Sequence, residues 1–291
     1  MPELVTVPDP GSPTGLGRVR VDRRAPADGG ASGGPPLVLI GGMTQTLSSW
    51  SGQIRALAAT RTVVAYEARG QGQSELDVGD VSPGRLVADF VALLEALGIA
   101  GAVDLCGFSF GGRLALAIAA RHPERVRRLV VSGVGAGRGA LGRVIVQGWR
   151  AALQTGDLEA LAWVSLADTL GPEYLGRNEA MLPSFIKATV QRNRFEGVRA
   201  LFEQTMDDAA GPAHAPLELA PRVRAPTLLL GGELDRLAPA SEVAALAGAF
   251  APPAEWAILP GVGPTVAIEA PEAWRGRVVE FLERPGGGGA G

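Results

Sequence analysis

The sequence predicts an α/β fold, a mostly parallel sheet with helices on both faces and a helical cap inserted over one end. Three observations predict it. Short apolar runs alternate with amphipathic segments at both ends of the chain, the pattern of strands joined by crossover helices. Between these stretches, residues 135–216 hold helical segments and no clear strand. Finally, Val103-Asp104-Leu105-Cys106 runs into Gly107-Phe108-Ser109-Phe110-Gly111-Gly112, an apolar strand breaking sharply into a helix.

The elements follow in order. Leu4–Val7 and Arg18–Arg24 are short strand candidates, followed by a Gly/Ala/Pro-rich connector. Leu37–Ile40 is a strand ending in Gly41-Gly42, and Ser48 or Ser49 can cap a helix running to about Ala59. Arg61–Tyr66 is the next strand, with β-branched Thr62, Val63 and Val64. A helix after Pro83 places Leu86, Phe90, Leu93, Leu94 and Leu97 on one face. The strand over 102–106, the helix Phe110–Arg121 and the strand Arg127–Ser132 complete the first half. Leu141–Thr155, Leu158–Thr169 and Leu182–Thr205 are the helical candidates of the insertion. Thr227–Leu230, a helix near Ala240–Ala249, the strand Glu255–Leu259 and a helix Pro271–Glu283 resume the alternation. This divides the chain into a core of residues 1–134 and 217–285, a cap of 135–216 and a flexible tail of 286–291. Ligands bind at the carboxyl ends of parallel strands, so the cap would roof the site.

Composition narrows the function. Apolar residues make up 46% of the chain, enough for a sizeable core. A net charge of −3 gives no reason to expect a nucleic-acid or membrane partner. Cys106 is the only cysteine, which excludes an intrachain disulfide and a multi-cysteine metal site. Neither a metal nor a cofactor is expected. Without a secretory leader or an apolar run of membrane-spanning length, a cytoplasmic protein is the simplest expectation. The Gly, Ala and Arg richness suits a high-GC bacterial genome.

Gly-x-Ser-x-Gly between a strand and a helix is the pattern of a nucleophile elbow, which exposes a serine hydroxyl on a tight turn. Ser109 is the candidate nucleophile, and small Gly107, Gly111 and Gly112 let the turn close. An ordinary glycine-rich turn is the bland alternative. An elbow implies an oxyanion hole made by two backbone N–H groups. Phe110, after the nucleophile, supplies one, and Met43, in the turn after Leu37–Ile40, is the candidate for the other. Backbone donors suit a developing oxyanion because they are already oriented. Asp235, following the strand at 227–231, is a candidate acid to orient a base, or it caps the next helix or closes an Asx-turn. Glu233 is a weaker candidate. His122, at a helix end before Pro123, reads as structural. His214, among prolines at the end of the cap, reads as a solvated loop residue or as an alternative base.

With the elbow and the loop Tyr66-Glu67-Ala68-Arg69-Gly70-Gln71-Gly72-Gln73-Ser74, the chain resembles the α/β-hydrolase superfamily. The loop matches that family's Asp-x-Arg-Gly-x-Gly-x-Ser, with Glu67 replacing Asp. The resemblance covers about residues 35–135 and 220–285 and implies Ser109 as nucleophile, Asp235 as triad acid, and Met43 and Phe110 as oxyanion donors. Two departures stand out. Gly41 replaces the histidine many members carry before the oxyanion glycine. Pro264 stands where the family has its catalytic histidine, in a segment that otherwise keeps the Pro-Gly-x-Gly-His pattern.

A serine without a base is a poor nucleophile, and proline cannot shuttle a proton. Three readings stay open. The first is a non-hydrolytic enzyme that stabilises an enolate, as in carboxylate elimination or cyclisation. The second is a serine esterase or thioesterase with a base from elsewhere. The third is a non-catalytic ligand-binding member of the fold. The Gly41–Thr46 loop and helical cap look like α/β-hydrolase-like proteins of actinobacterial polyketide pathways, in particular the acetate-eliminating enzymes of tetronate biosynthesis. That resemblance implies a small-molecule ester or acyl substrate under the cap. Trp149, Trp163, Leu166, Phe185 and Phe202 could bury such a substrate or pack the cap onto the sheet. The oligomeric state is not legible.

Overall fold

The structure is a computed structural model that describes residues 1–26, 34–205 and 215–284. Its eight-stranded sheet has the order β1-β2-β4-β3-β5-β6-β7-β8. The strands are β1 (Glu3–Pro8), β2 (Leu16–Arg24), β3 (Leu37–Ile40), β4 (Val63–Tyr66), β5 (Val103–Phe108), β6 (Val126–Ser132), β7 (Thr227–Gly232) and β8 (Glu255–Leu259). β1 pairs antiparallel with β2, and β2 pairs antiparallel with β4. Every pairing from β4 through β8 is parallel. The α/β architecture expected from the alternation is therefore the one observed.

Period-two alternation divides the buried strand residues between the faces of the sheet. Val38 and Ile40 of β3 join one core cluster with Phe90 and Leu114. Leu37 and Leu39 join the other with Trp50, Ile54 and Trp274. The first face carries α2 (Pro83–Ala96), α3 (Phe110–Arg121) and α10 (Ala240–Gly248). The second carries α1 (Leu47–Leu57) and α12 (Pro271–Glu283). Trp274 is fully buried, and its indole N–H donates to Ser132 Oγ at 3.1 Å.

Between β6 and β7 lie α4 (Gly139–Gln154), α5 (Leu158–Thr169), α6 (Pro172–Asn178), α7 (Leu182–Arg192) and α8 (Phe195–Thr205). They hold a cluster of their own that includes Ile145, Trp149, Leu161 and Phe202. Trp149 and Phe202 thus pack the insertion, Leu166 and Phe185 are half-buried, and Trp163 is 42% exposed. Two short helices, α9 (Pro216–Leu219) and α11 (Val266–Glu269), complete the set among the described residues. None of the described helices is long and apolar enough to cross a membrane.

Three sequence expectations are corrected. The helix expected to be capped by Ser48 or Ser49 begins at Leu47, after Thr46, because the Glu67 carboxylate accepts the Leu47 amide at 3.0 Å. The helix expected over 182–205 is two, broken at Asn193. That residue is extended (φ −118°, ψ 153°), and its side chain bonds Gly72 N and Thr44 O in distant loops and Thr189 O in the last turn of the first helix. The seven-residue α6 falls in a stretch where no helix was expected. The tail at 286–291 lies outside the described residues.

Candidate active site

Ser109 stands between β5 and α3 with φ 51° and ψ −112°, a positive φ that a non-glycine residue adopts only when its surroundings force it. The surroundings are specific. The Ser109 amide donates to Ser132 O at 2.9 Å, and its carbonyl accepts from Arg113 at 3.0 Å. A Cβ on Gly107 would overlap the Gly111 carbonyl, and one on Gly111 would overlap the Ile40 carbonyl. Only glycine lets β3, β5 and α3 approach so closely. The Ser109 hydroxyl is half-buried and has no hydrogen-bond partner among the described residues.

The turn after β3 is tied to this elbow. Gly111 N–H donates to Gly41 O at 3.1 Å. Gln71 Nε2 donates to Gly42 O at 2.6 Å and Gly41 O at 3.3 Å, while its Oε1 accepts from Ala68 N at 2.9 Å. Gly42 N donates to Gln45 Oε1 at 2.9 Å. These bonds fix the backbone and leave two amides over. Neither Met43 N–H nor Phe110 N–H has an acceptor among the described residues. The Met43 side chain packs against both the sheet core and the insertion's cluster.

The family-like loop behind the turn is held by charge. Arg69, 2% exposed, forms a two-point pair with Asp89 (2.7 and 2.9 Å) and a bond to Asp9 at 2.8 Å. Burial opposes the Asp9 anion, but the Asp77 amide and Arg69 outweigh it and hold its carboxyl below the usual range. Glu67 accepts the Leu47 and Gln73 amides through its two oxygens.

Asp235 follows β7 and is 3% exposed. Its Oδ1 accepts from the Leu237 and Ala238 amides, both at 2.8 Å, while its Oδ2 is buried without a partner among the described residues. Burial pushes this carboxyl above the usual aspartate range; the two amides oppose that rise and nearby Glu269 adds to it. Glu233 is committed elsewhere, accepting Gly261 N at 2.7 Å on an exposed surface.

Pro264 is buried in the loop between β8 and α11. Its neighbours are anchored on both sides by one carboxylate. Glu269 accepts Gly263 N and Thr265 N, each at 3.1 Å, and Gly171 N at 2.8 Å. Thr265 Oγ1 donates to Thr169 O at 2.6 Å. The segment carrying Pro264 is thus pinned to the junction of α5 and α6. Arg236, next to Asp235, bonds Asp168 of α5 at 2.7 Å, and Asp168 also accepts from Trp149 Nε1 at 3.0 Å.

His122 ends α3 and lies 3.2 Å from Glu124 on the surface, in keeping with a structural role. His214 lies outside the described residues. No group of three or more His, Cys, Asp or Glu side chains suited to a metal occurs among the described residues. Sequence reading missed Gln71, Asn193 and Glu269. Asn193 accepts Gly72 N at 3.1 Å and donates to Thr44 O at 3.0 Å, joining the insertion to both site loops. Gln71 lay within a motif already noticed, but nothing in the sequence singled out the other two.

Comparison with known proteins agrees with this fold. Residues 35–188, more than half the chain, match the family model described as alpha/beta hydrolase fold. The chain is 32% identical over 259 residues to the dihydrolipoyllysine-residue acetyltransferase component of the acetoin cleaving system of Pseudomonas putida. That match covers 88% of this chain and 65% of the relative, so the chain spans under two thirds of that protein. It is 28% identical over 214 residues to the pyrrolizixenacetamide deacetylase of Xenorhabdus hominickii, covering 72% and 77%. The crystal structure of the enol-lactonase from Burkholderia xenovorans LB400 superposes with a TM-score of 0.77 at 28% identity, covering 91% and 96%. The chain belongs to the α/β-hydrolase fold family.

Proposed function

We propose that this enzyme acts on a small-molecule ester or acyl compound of bacterial polyketide-type metabolism and removes a carboxylate instead of adding water. The substrate sits beneath the helical insertion, in a cytoplasmic setting. One observation carries the reading: Asp235 Oδ2 is buried without a partner among the described residues while Pro264 occupies the triad histidine's place in the sequence. An imidazole that would activate Ser109 is missing from that position, yet the Met43 and Phe110 amides have no acceptor among the described residues.

Those amides suit an enolate as well as a tetrahedral intermediate, since both put negative charge on one oxygen. In a β-acyloxy carbonyl substrate, the hydrogen α to the carbonyl is acidified. As it leaves, charge develops on the carbonyl oxygen, held by Met43 N–H and Phe110 N–H. The Cα=Cβ bond forms, the Cβ–O bond breaks, and the departing carboxylate carries the proton away as the free acid. No acyl-enzyme forms, and the Ser109 hydroxyl acts as a hydrogen-bond donor. Asp235 keeps its loop in place through Leu237 and Ala238.

Hydrolysis is the second reading, favoured by the likeness to the deacetylase and the enol-lactonase. Turnover of a β-acetoxy carbonyl ester in ¹⁸O-water separates the two. Elimination gives the unsaturated carbonyl and unlabelled acetate, because the alkyl–oxygen bond breaks. Hydrolysis gives the alcohol and acetate with one ¹⁸O, and that result would replace the proposal.

A further inference from the structure

A cavity of about 310 Å³ lies against β2 and the start of α1; none of Met43, Ser109, Phe110, Asp235 or Pro264 lines it. Separate parts of the chain meet there. The sheet supplies Arg20 and Arg24 from β2, the start of α1 supplies Ser48 and Ser51, the loop after β4 supplies Glu67 and Gln73, and the insertion supplies Arg192 from the last turn of α7. The carboxylates on its wall are Asp22 and Glu67.

The charges do not cancel, and the bonding shows which are committed. Asp22 takes Arg24 in a two-point pair, Nε to Oδ1 at 3.0 Å and Nη2 to Oδ2 at 2.8 Å. Glu67 directs one oxygen to the Leu47 amide and the other to the Gln73 amide. Neither carboxylate pairs with Arg20 or Arg192 among the described residues. Arg192 makes one bond, Nη1 to Ser48 Oγ at 2.8 Å. The Arg20 guanidinium has no partner among the described residues. Three arginines against two carboxylates leave the lining one positive charge in excess, with most of the donors of two guanidinium forks unused.

We infer that this cleft binds a phosphate group, free or as a small monoester, between Arg20 and Arg192. A guanidinium presents parallel N–H donors that match the oxygens of an oxyanion. A carboxylate is satisfied by one such fork, whereas a phosphate has oxygens enough for two forks and the Ser48 and Ser51 hydroxyls. Because Arg192 belongs to the insertion and Arg20 to the sheet, the anion also links the two. The inference is independent of the reaction proposed above, since it uses none of that site's residues.

The test is binding of inorganic phosphate and of methyl phosphate, followed by calorimetry and thermal unfolding in low-chloride buffer. Saturable binding at about 1 mM or tighter is expected, with a rise in melting temperature as ligand fills the folded state. The Arg20→Gln/Arg192→Gln double variant should bind about tenfold or more weakly. Arg23→Gln should bind as the wild type does, because Arg23 donates to Leu97 O and does not line the cleft. Independently, phosphate should slow phenylglyoxal modification of Arg20 and Arg192, read by peptide mass. The assignment is overturned if neither probe saturates, if the double variant binds like wild type, or if phosphate leaves both modification rates unchanged.

Discussion

The Gly111 amide donates to the Gly41 carbonyl at 3.1 Å, so the turn that carries Ser109 and the turn that carries Met43 are one hydrogen-bonded unit. The two candidate oxyanion donors are therefore fixed relative to each other by this backbone bond together with the Gln71 and Gln45 side chains. Donors held in this way are oriented without help from a residue at position 264.

Gly111→Ala tests that unit. Its Cβ would overlap the Ile40 and Gly41 carbonyls, both rigid backbone. We expect destabilisation of about 4 kcal/mol or more, or failure to fold, measured by urea unfolding. Gly248→Ala, a helical glycine with open space at its Cβ, should change stability by about 1 kcal/mol or less. Similar losses in both variants would mean that the elbow is looser than this structure has it.

Asn193→Ala should cost about 2–3 kcal/mol, because it leaves the Gly72 amide and the Thr44 carbonyl without their side-chain partner. The loss should be accompanied by faster proteolysis of the α7–α8 junction relative to the sheet core. Cleavage there at the wild-type rate would show that the insertion is held without Asn193.

Asp235 gives a pH signature. Its folded pKa is raised above the unfolded value, so the native state binds more protons than the unfolded chain between the two values. Its contribution is fully favourable below the unfolded pKa of 3.8 and falls as pH rises through the folded value. Asp235→Asn removes that loss. The variant should therefore gain stability relative to wild type as pH is raised from about 4 to 8. Unfolding curves at several pH values check this; a difference independent of pH would show that Asp235 is ionised without penalty.

Much of the fold was legible because it rests on local pattern. The runs at 37–40 and 255–259 and the helices at 110–121, 158–169 and 271–283 are observed with those boundaries. Ser109 and its glycines were legible for the same reason, since a strand–turn–helix must close over a few residues. The tertiary features were not. The break at Asn193 comes from bonds to Gly72 and Thr44, more than 100 residues away. The start of α1 at Leu47 is set by Glu67, and the path of the Pro264 loop by Glu269 holding Gly171. Such side chains look like any exposed polar residue until the chain folds them against a distant amide.

The central claim is that the site keeps its anion hole and acid while lacking the base that activates Ser109. Labelling of Ser109 by a fluorophosphonate probe, compared between wild type and Pro264→His, tests it most directly. The amides flanking position 264 are held by Glu269, so the loop should keep its path, and Asp235 Oδ2 has no partner among the described residues. The wild type should label slowly, and Pro264→His about a hundredfold faster, the scale of a positioned general base. Rapid stoichiometric labelling of the wild type, abolished by Ser109→Ala, would contradict the account, because another group would then be activating the serine.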